Sequence, residues 1–317
     1  MRYAWEAPKG RVFPIVGPGH VGLEALTFTF LRPGDRVVVL DNGFFGERLA
    51  EVLATHRLKV ERVRSEWGGG FDLAGLRKAL GKPAKAVALI HNETGTGVTN
   101  PLDEVVELAH SKGAFALVDA VSSLGGIPTR CGKLAIDAAF SASQKCLAAP
   151  AGISPVLVSP SLWEATDPKG IDGWYLNLFT WDRYQREWGD WHPTPTTISS
   201  NLFYAVHRAL SLVKEEGLEP RFGRHARAAG QLRDGLVELR FEPVASPDLA
   251  SNTVTCMRPP AHLDAAALMK GLKERHNIYI SGGLGPLRGK TIRIGTMGTQ
   301  AEPEIVERLL AAVKTLV

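Results

Sequence analysis

The chain has 317 residues, 44% of them hydrophobic and 22% charged, and 37 Lys and Arg against 33 Asp and Glu leave a net charge of +4. That composition fits a globular protein of about two domains and excludes a disordered or fibrous chain. No basic cluster with interleaved aromatics marks a nucleic-acid groove, and no apolar run reaches the roughly 18 residues of a membrane span. Cys131, Cys146 and Cys256 are too scattered for a disulfide framework or a metal site. The opening MRYAWEAPKG lacks the apolar stretch of a signal peptide. A soluble, cytoplasmic protein in a reducing compartment is expected, with no bound metal.

In chain order, an apolar run reaches a glycine turn, VGPGHVGLEAL (16–26), whose Gly17 and Gly19 precede a helical pattern. Free N–H groups at such a helix start can hold a phosphate, although an ordinary strand-to-helix turn has the same look. VVVL (37–40), AVALI (86–90), FALVDA (115–120), AAFSAS (138–143) and ISPVLVS (153–159) read as buried strands. GERLAEVLATH (46–56) and DEVVELAHSKG (103–113) between them have helical period. Apolar strands alternating with helices predict an α/β fold, a mostly parallel sheet covered on both faces. Residues 172–196 read as an irregular excursion with four tryptophans, and Trp163 lies just upstream. Helices are predicted over 197–216 and 219–237. A small C-terminal α+β module follows: NTVTCM (252–257), DAAALMKGLKERH (264–276), IYIS (278–281), TIRIG (291–295) and PEIVERLLAAVKTL (303–316). Two domains are expected, 1–215 and 216–317.

Candidate chemistry sits at strand ends, where α/β sheets bind ligands. LDNGFFGERL (40–49) places Phe44 and Phe45 at the mouth of the sheet, to stack on a flat ligand or to cap the core. HNETGTG (91–97) gathers hydrogen-bonding groups on one loop. Asp119 closes an apolar strand, where a carboxylate is costly to bury unless paired. It can cap the next turn or hold a protonated ring nitrogen. Lys145, in SASQKCLAAPAG (141–152), follows a strand of small residues and is a candidate for covalent chemistry, or else a lysine reaching out to solvent. Arg293 alternates with Ile292 and Ile294, so its guanidinium is placed for a carboxylate or for a surface ion pair.

HNETGTG, LVDAVSSLGG, SASQKCLAAPAG and GGLGPLRGKTIRIG together resemble the class V pyridoxal-phosphate-dependent aminotransferases, the alanine–glyoxylate and serine–pyruvate group with the fold-type-I architecture. The resemblance runs over nearly the whole chain from about residue 12. It implies that Lys145 forms a Schiff base with pyridoxal 5'-phosphate and acts as the catalytic base. It further implies that Asp119 pairs with the pyridine nitrogen, while Val121 and Phe45 pack on the two ring faces. Thr94 would serve the 3-hydroxyl region, and Gly19, His20 and Gln144 the phosphate. Thr194 resembles a residue that reaches the phosphate of a neighbouring subunit, which implies a homodimer with shared sites. Arg293 would bind the substrate carboxylate.

The implied reaction moves an amino group from an alanine- or serine-type amino acid to glyoxylate or pyruvate, with phosphonate and ureido donors still open. Three departures stand out. Family members carry a longer segment before the glycine turn, Pro18 replaces a small hydroxyl residue, and Trp191 stands where tyrosine is common. Two alternatives accompany this reading. One is a cysteine desulfurase or related lyase, which needs a mobile reactive cysteine that neither Cys146 nor Cys256 resembles. The other is a shortened, non-catalytic relative that keeps the fold.

Overall fold

A computed structural model describes residues 1–317. Its large sheet contains β1 (Arg11–Val16), β2 (Arg36–Asp41), β3 (Lys59–Arg64), β4 (Ala86–Ile90), β7 (Phe115–Asp119), β8 (Ala138–Phe140) and β9 (Ile153–Val158). A two-stranded hairpin, β5 (Asn92–Glu93) with β6 (Val98–Thr99), stands just beyond β4. The sheet order is β1-β9-β8-β7-β4-β2-β3. Pairings from β8 through β7, β4 and β2 to β3 are all parallel, and β9 lies antiparallel to both β8 and β1. Two reversals bring β1 back to the common direction, so the end of β1 opens on the same side as the ends of β2, β4, β7 and β8.

The continuous apolar strands follow from burial on both faces. Val37 and Val39 pack into one core with α1 (Gly19–Phe30) and α2 (Phe44–Thr55). Val38 and Leu40 pack into the other with α3 (Leu73–Ala79) and α4 (Asp103–Ser111). Trp5 is fully buried in this second core, so the first ten residues are tied to the domain.

Beyond β9 come α5 (Pro160–Glu164), α6 (Leu178–Glu187), α7 (Ser200–Glu216) and α8 (Leu218–Glu238). The C-terminal sheet, β10 (Glu242–Pro243), β11 (Val254–Arg258), β13 (Ile292–Gly295) and β12 (Ser281–Gly282), is antiparallel. It shares a core with α8, α9 (Ala265–His276) and α10 (Pro303–Lys314).

Four expectations need correction. The tryptophan-rich stretch is not wholly irregular: α6 runs through it, with Leu178, Thr180 and Trp181 buried. AAFSAS is a strand only over Ala138–Phe140; beyond it the Ser141 and Ser143 N–H groups still donate to the Pro155 and Ile153 carbonyls of β9, while their hydroxyls donate to the Ala120 and Pro150 carbonyls. IYIS contributes only Ser281 to a strand, and Tyr279 is 71% exposed. Finally, β3 was not among the predicted strands. Its KVERVR sequence carries charges at an edge that is only half covered, so it lacks the apolar run of the inner strands.

Candidate active site

A cleft with an empty volume of about 770 Å3 opens at the carboxyl ends of β4, β7 and β8. Gly19, His20, Phe45, Thr94, Asp119, Val121, Gln144 and Lys145 all line it, although they come from five separate segments. Two expected residues stand apart from its walls. Arg293 lies behind Thr94, and Thr194 donates its hydroxyl to the Thr196 carbonyl (2.9 Å) in the segment after α6.

Asp119 ends β7, and one carboxylate oxygen accepts the Val121 N–H at 2.7 Å. Protein surrounds the group except where it opens into the cleft, which is why its surface is half-buried rather than sealed. Burial pushes this carboxyl up to about 7, against the pull of the Val121 N–H and the Lys145 charge. No cation of the protein touches it, so the cleft holds a costly anion with room for a positive partner. Lys145 is half-buried, and its amine makes no hydrogen bond or ion pair with the protein. The backbone beyond it is held from α8. Buried Arg221 donates to the Cys146 carbonyl (2.6 Å) and the Gly125 carbonyl (2.7 Å) and pairs with Glu216 (2.5 Å).

Helix α1 begins at the cleft. Its N-cap, Pro18, provides no side-chain cap, and its first turn has no acidic residue. The leading N–H groups are therefore available to an anion. Gly19 lets the helix start pack closely on the cleft wall, since a Cβ there would stand 3.1 Å from the Val121 side chain.

The loop after β4 is organised by a residue that the sequence reading did not single out. Glu93 is fully buried and accepts N–H bonds from Phe45 (3.0 Å), Gly46 (3.0 Å) and Gly95 (2.7 Å). It caps α2 from outside the helix and fixes Phe45 at the cleft wall. Burial still raises this carboxyl to about 7 despite the three donors. The sequence signal was the glycine spacing: a Cβ on Gly43 would lie 2.4 Å from the Glu93 side chain, and one on Gly95 would lie 2.8 Å from its carboxylate. Glu93→Ala is expected to destabilise the protein by about 2–5 kcal/mol, measured by urea unfolding, because it leaves three buried donors and a cavity.

Thr94 donates its hydroxyl to Ser122 Oγ (2.8 Å), which also accepts from the Asn92 amide (2.8 Å). Asn92 and Ser122 thus belong to the cleft wall as well. Half-buried Arg293 donates Nε to the Gly282 carbonyl (2.8 Å) and Nη1 to the Thr94 carbonyl (3.3 Å). Those bonds leave Nη2 uncommitted and tie the C-terminal sheet to the cleft loop. All three cysteines are buried, and burial pushes the Cys146 and Cys256 thiols up to about 12 and about 11. Neither meets the demand for an accessible thiolate.

The sequence family described as aminotransferase class-V matches residues 20–308. The chain belongs to the class V aminotransferases. It is 37% identical to an uncharacterized aminotransferase of Methanocaldococcus jannaschii, over 94% of this chain and 77% of that one. It is 34% identical to the alanine–glyoxylate aminotransferase of Callithrix jacchus, over 99% of this chain and 77% of that protein. The crystal structure of an alanine–glyoxylate aminotransferase from Nostoc sp. superposes with a TM-score of 0.93 at 32% identity, covering 99% of this chain and 84% of the other. This class V enzyme is an aminotransferase of the pyridoxal-phosphate-dependent fold. No helix in it is long and apolar enough to cross a membrane.

Proposed function

We propose that this aminotransferase moves an amino group from a small amino acid of the alanine or serine type to a 2-oxo acid such as glyoxylate or pyruvate. The supporting observation is the meeting of Asp119 and Lys145, from the ends of two neighbouring strands, in one cleft at the start of α1. The alanine–glyoxylate relatives support the choice of donor and acceptor.

The residues present fit pyridoxal phosphate. Asp119 presents a buried carboxylate in need of a cation, Lys145 an unengaged amine, and α1 an uncapped helix start with Gly19 at close approach. When bound, this cofactor supplies an aldehyde for the amino group and an electron-withdrawing ring that stabilises charge at the substrate Cα. Asp119 would hold the ring nitrogen in its protonated form. Val121 and Phe45 would hold the ring, and Thr94 would serve its hydroxyl. Gly19, His20 and Gln144 receive the phosphate. Lys145, with its unengaged amine, would hold the cofactor through its aldehyde and would serve as the base for the substrate Cα proton. Arg293 receives the substrate carboxylate with its free Nη2 edge.

Sharing of sites between two subunits also belongs to this proposal, with Thr194 reaching the phosphate of the neighbour. The support is exposed aromatic surface in the stretch of chain on either side of Thr194: Trp174, Trp188, Trp191 and Tyr204 are 46%, 41%, 71% and 75% exposed. Apolar surface of this kind marks interfaces. Two domains joined near residue 215 fit the chain path, since Gly217 (φ 85°) separates α7 from α8. Three free thiols fit a reducing, cytoplasmic setting.

The test is spectroscopic. Protein loaded with pyridoxal phosphate should show visible absorbance that alanine abolishes and glyoxylate restores. Absorbance indifferent to small amino acids would overturn the donor assignment. Arg293→Leu should raise KM for the amino donor roughly ten- to a hundredfold, in proportion to one lost charge-assisted contact, with a smaller change in kcat.

A further inference from the structure

Arg48 lies on α2, three residues beyond Phe45 and four beyond Phe44, so the three side chains share one helix face. Its guanidinium carbon sits 4.6 Å from the Phe44 ring centre and 5.4 Å from that of Phe45. It is half-buried and lines the cleft, yet it makes no hydrogen bond and no ion pair with any group of the protein. A half-buried guanidinium with all its donors free is unusual, because arginine in such a position normally meets a carboxylate or carbonyl. Elsewhere in this chain, Arg62, Arg221 and Arg224 each do so.

The surroundings define what it can meet. Arg48 lines the cleft together with Pro18, Gly19 and His20, and burial, with the Arg48 charge added, lowers the pKa of His20 against the opposing charge of Glu24. Arg293 bonds the Thr94 carbonyl and is not among the residues lining the cleft. At the α1 end, Pro18 offers neither an N–H nor a hydroxyl to an anion. Asp119 is the sole acidic side chain lining the cleft, and it serves the far end of the ring in the reading given above. The α1 end therefore combines a helix start, an exposed imidazole and a free guanidinium, and the one carboxylate whose charge reaches His20, Glu24 of α1, is not among the residues lining the cleft.

We infer that Arg48 is an anion-binding residue for the phosphate of the cofactor, and that it supplements the α1 N-terminus where Pro18 contributes no donor. This inference rests on the cofactor reading above. Stacking on Phe44 and Phe45 holds the planar fork in place before the ligand arrives, so less rotamer freedom is lost on binding. The same stack links the phosphate end of the cleft to the aromatic wall that Glu93 anchors.

The experiment compares two aldehydes that differ only in the phosphate. Apoprotein is titrated with pyridoxal phosphate and with pyridoxal, and binding is read from absorbance, without turnover. Wild-type protein should prefer the phosphorylated form. Arg48→Gln should reduce that preference roughly ten- to a hundredfold, through weaker binding of pyridoxal phosphate alone, as expected for one charge-assisted contact. Arg48→Lys, which keeps the charge and the long stem, should retain most of the preference and controls for folding. An unchanged preference in Arg48→Gln overturns the inference. So does an equal loss for both aldehydes, which would assign Arg48 to packing of the aromatic wall. An intact preference with a raised KM for the amino donor also overturns it and transfers the residue to substrate binding. Wild-type protein that binds neither aldehyde overturns the cofactor reading and this inference with it.

Discussion

Lys145→Ala is expected to lower transamination by at least about 10⁴-fold, because one amine is asked to serve as both covalent anchor and proton carrier. The structure gives this variant a clean reading. The Lys145 amine makes no hydrogen bond or ion pair with the protein, and the following backbone is fixed independently by Arg221 through the Cys146 carbonyl. Removal of the amine should thus leave the loop in place, and the melting temperature of apoprotein should hardly change. The cleft should still take up pyridoxal phosphate, since the α1 start, Asp119 and the aromatic wall remain, but without the visible absorbance of the lysine-bound form. Small exogenous amines should restore part of the activity by supplying the missing base. Activity within tenfold of wild type would remove Lys145 from the mechanism.

The reasons why some of these residues were legible in the sequence and others were not are physical. Asp119 ends an apolar strand and Lys145 follows a run of small residues, and a charge in such a place stands out by its cost. Gly19, with its close approach to Val121, was visible as a glycine at a strand-to-helix turn. Glu93 was not visible as an organiser, because its partners Phe45 and Gly46 lie nearly fifty residues away on another element. Only the glycines around it carried a trace. Arg48 belongs to an exposed-looking helix pattern, and its isolation from any acceptor is a property of three-dimensional surroundings. Its spacing from Phe44 and Phe45 was nonetheless available as a helix-face relation. Among the strands, the inner apolar ones were evident, whereas β3 was masked by edge charges. The antiparallel β9 and the return of β1 to the common direction had no sequence marker, since apolar strands read alike in either direction.

Asp119→Asn is expected to lower kcat roughly 10²- to 10³-fold, the scale of losing one preorganised electrostatic group at developing charge. An amide preserves the shape and can still accept the Val121 N–H, but it carries no negative charge with which to keep a ring nitrogen protonated. The same residue leaves a second signature that does not depend on turnover. In apoprotein the folded carboxyl titrates near 7, well above the 3.8 of an unperturbed aspartate, because burial outweighs the Val121 bond and the Lys145 charge. A folded value raised above the unfolded one means that the contribution to stability is fully present below about pH 4. It is then lost as the pH rises through about 7. The loss amounts to about 4 kcal/mol at most. Apoprotein should accordingly melt at progressively lower temperature across that window, and Asp119→Asn should flatten much of the decline. Glu93, raised to about 7 in the same direction, leaves a residual slope in the variant. Pyridoxal phosphate should flatten the wild-type profile too, since a cationic ring nitrogen stabilises the ionised carboxylate, and it should have less effect on the slope of Asp119→Asn. A wild-type apoprotein whose stability is constant from pH 4 to 7, or a cofactor effect on slope that survives Asp119→Asn unchanged, would remove Asp119 from its position opposite the ring nitrogen.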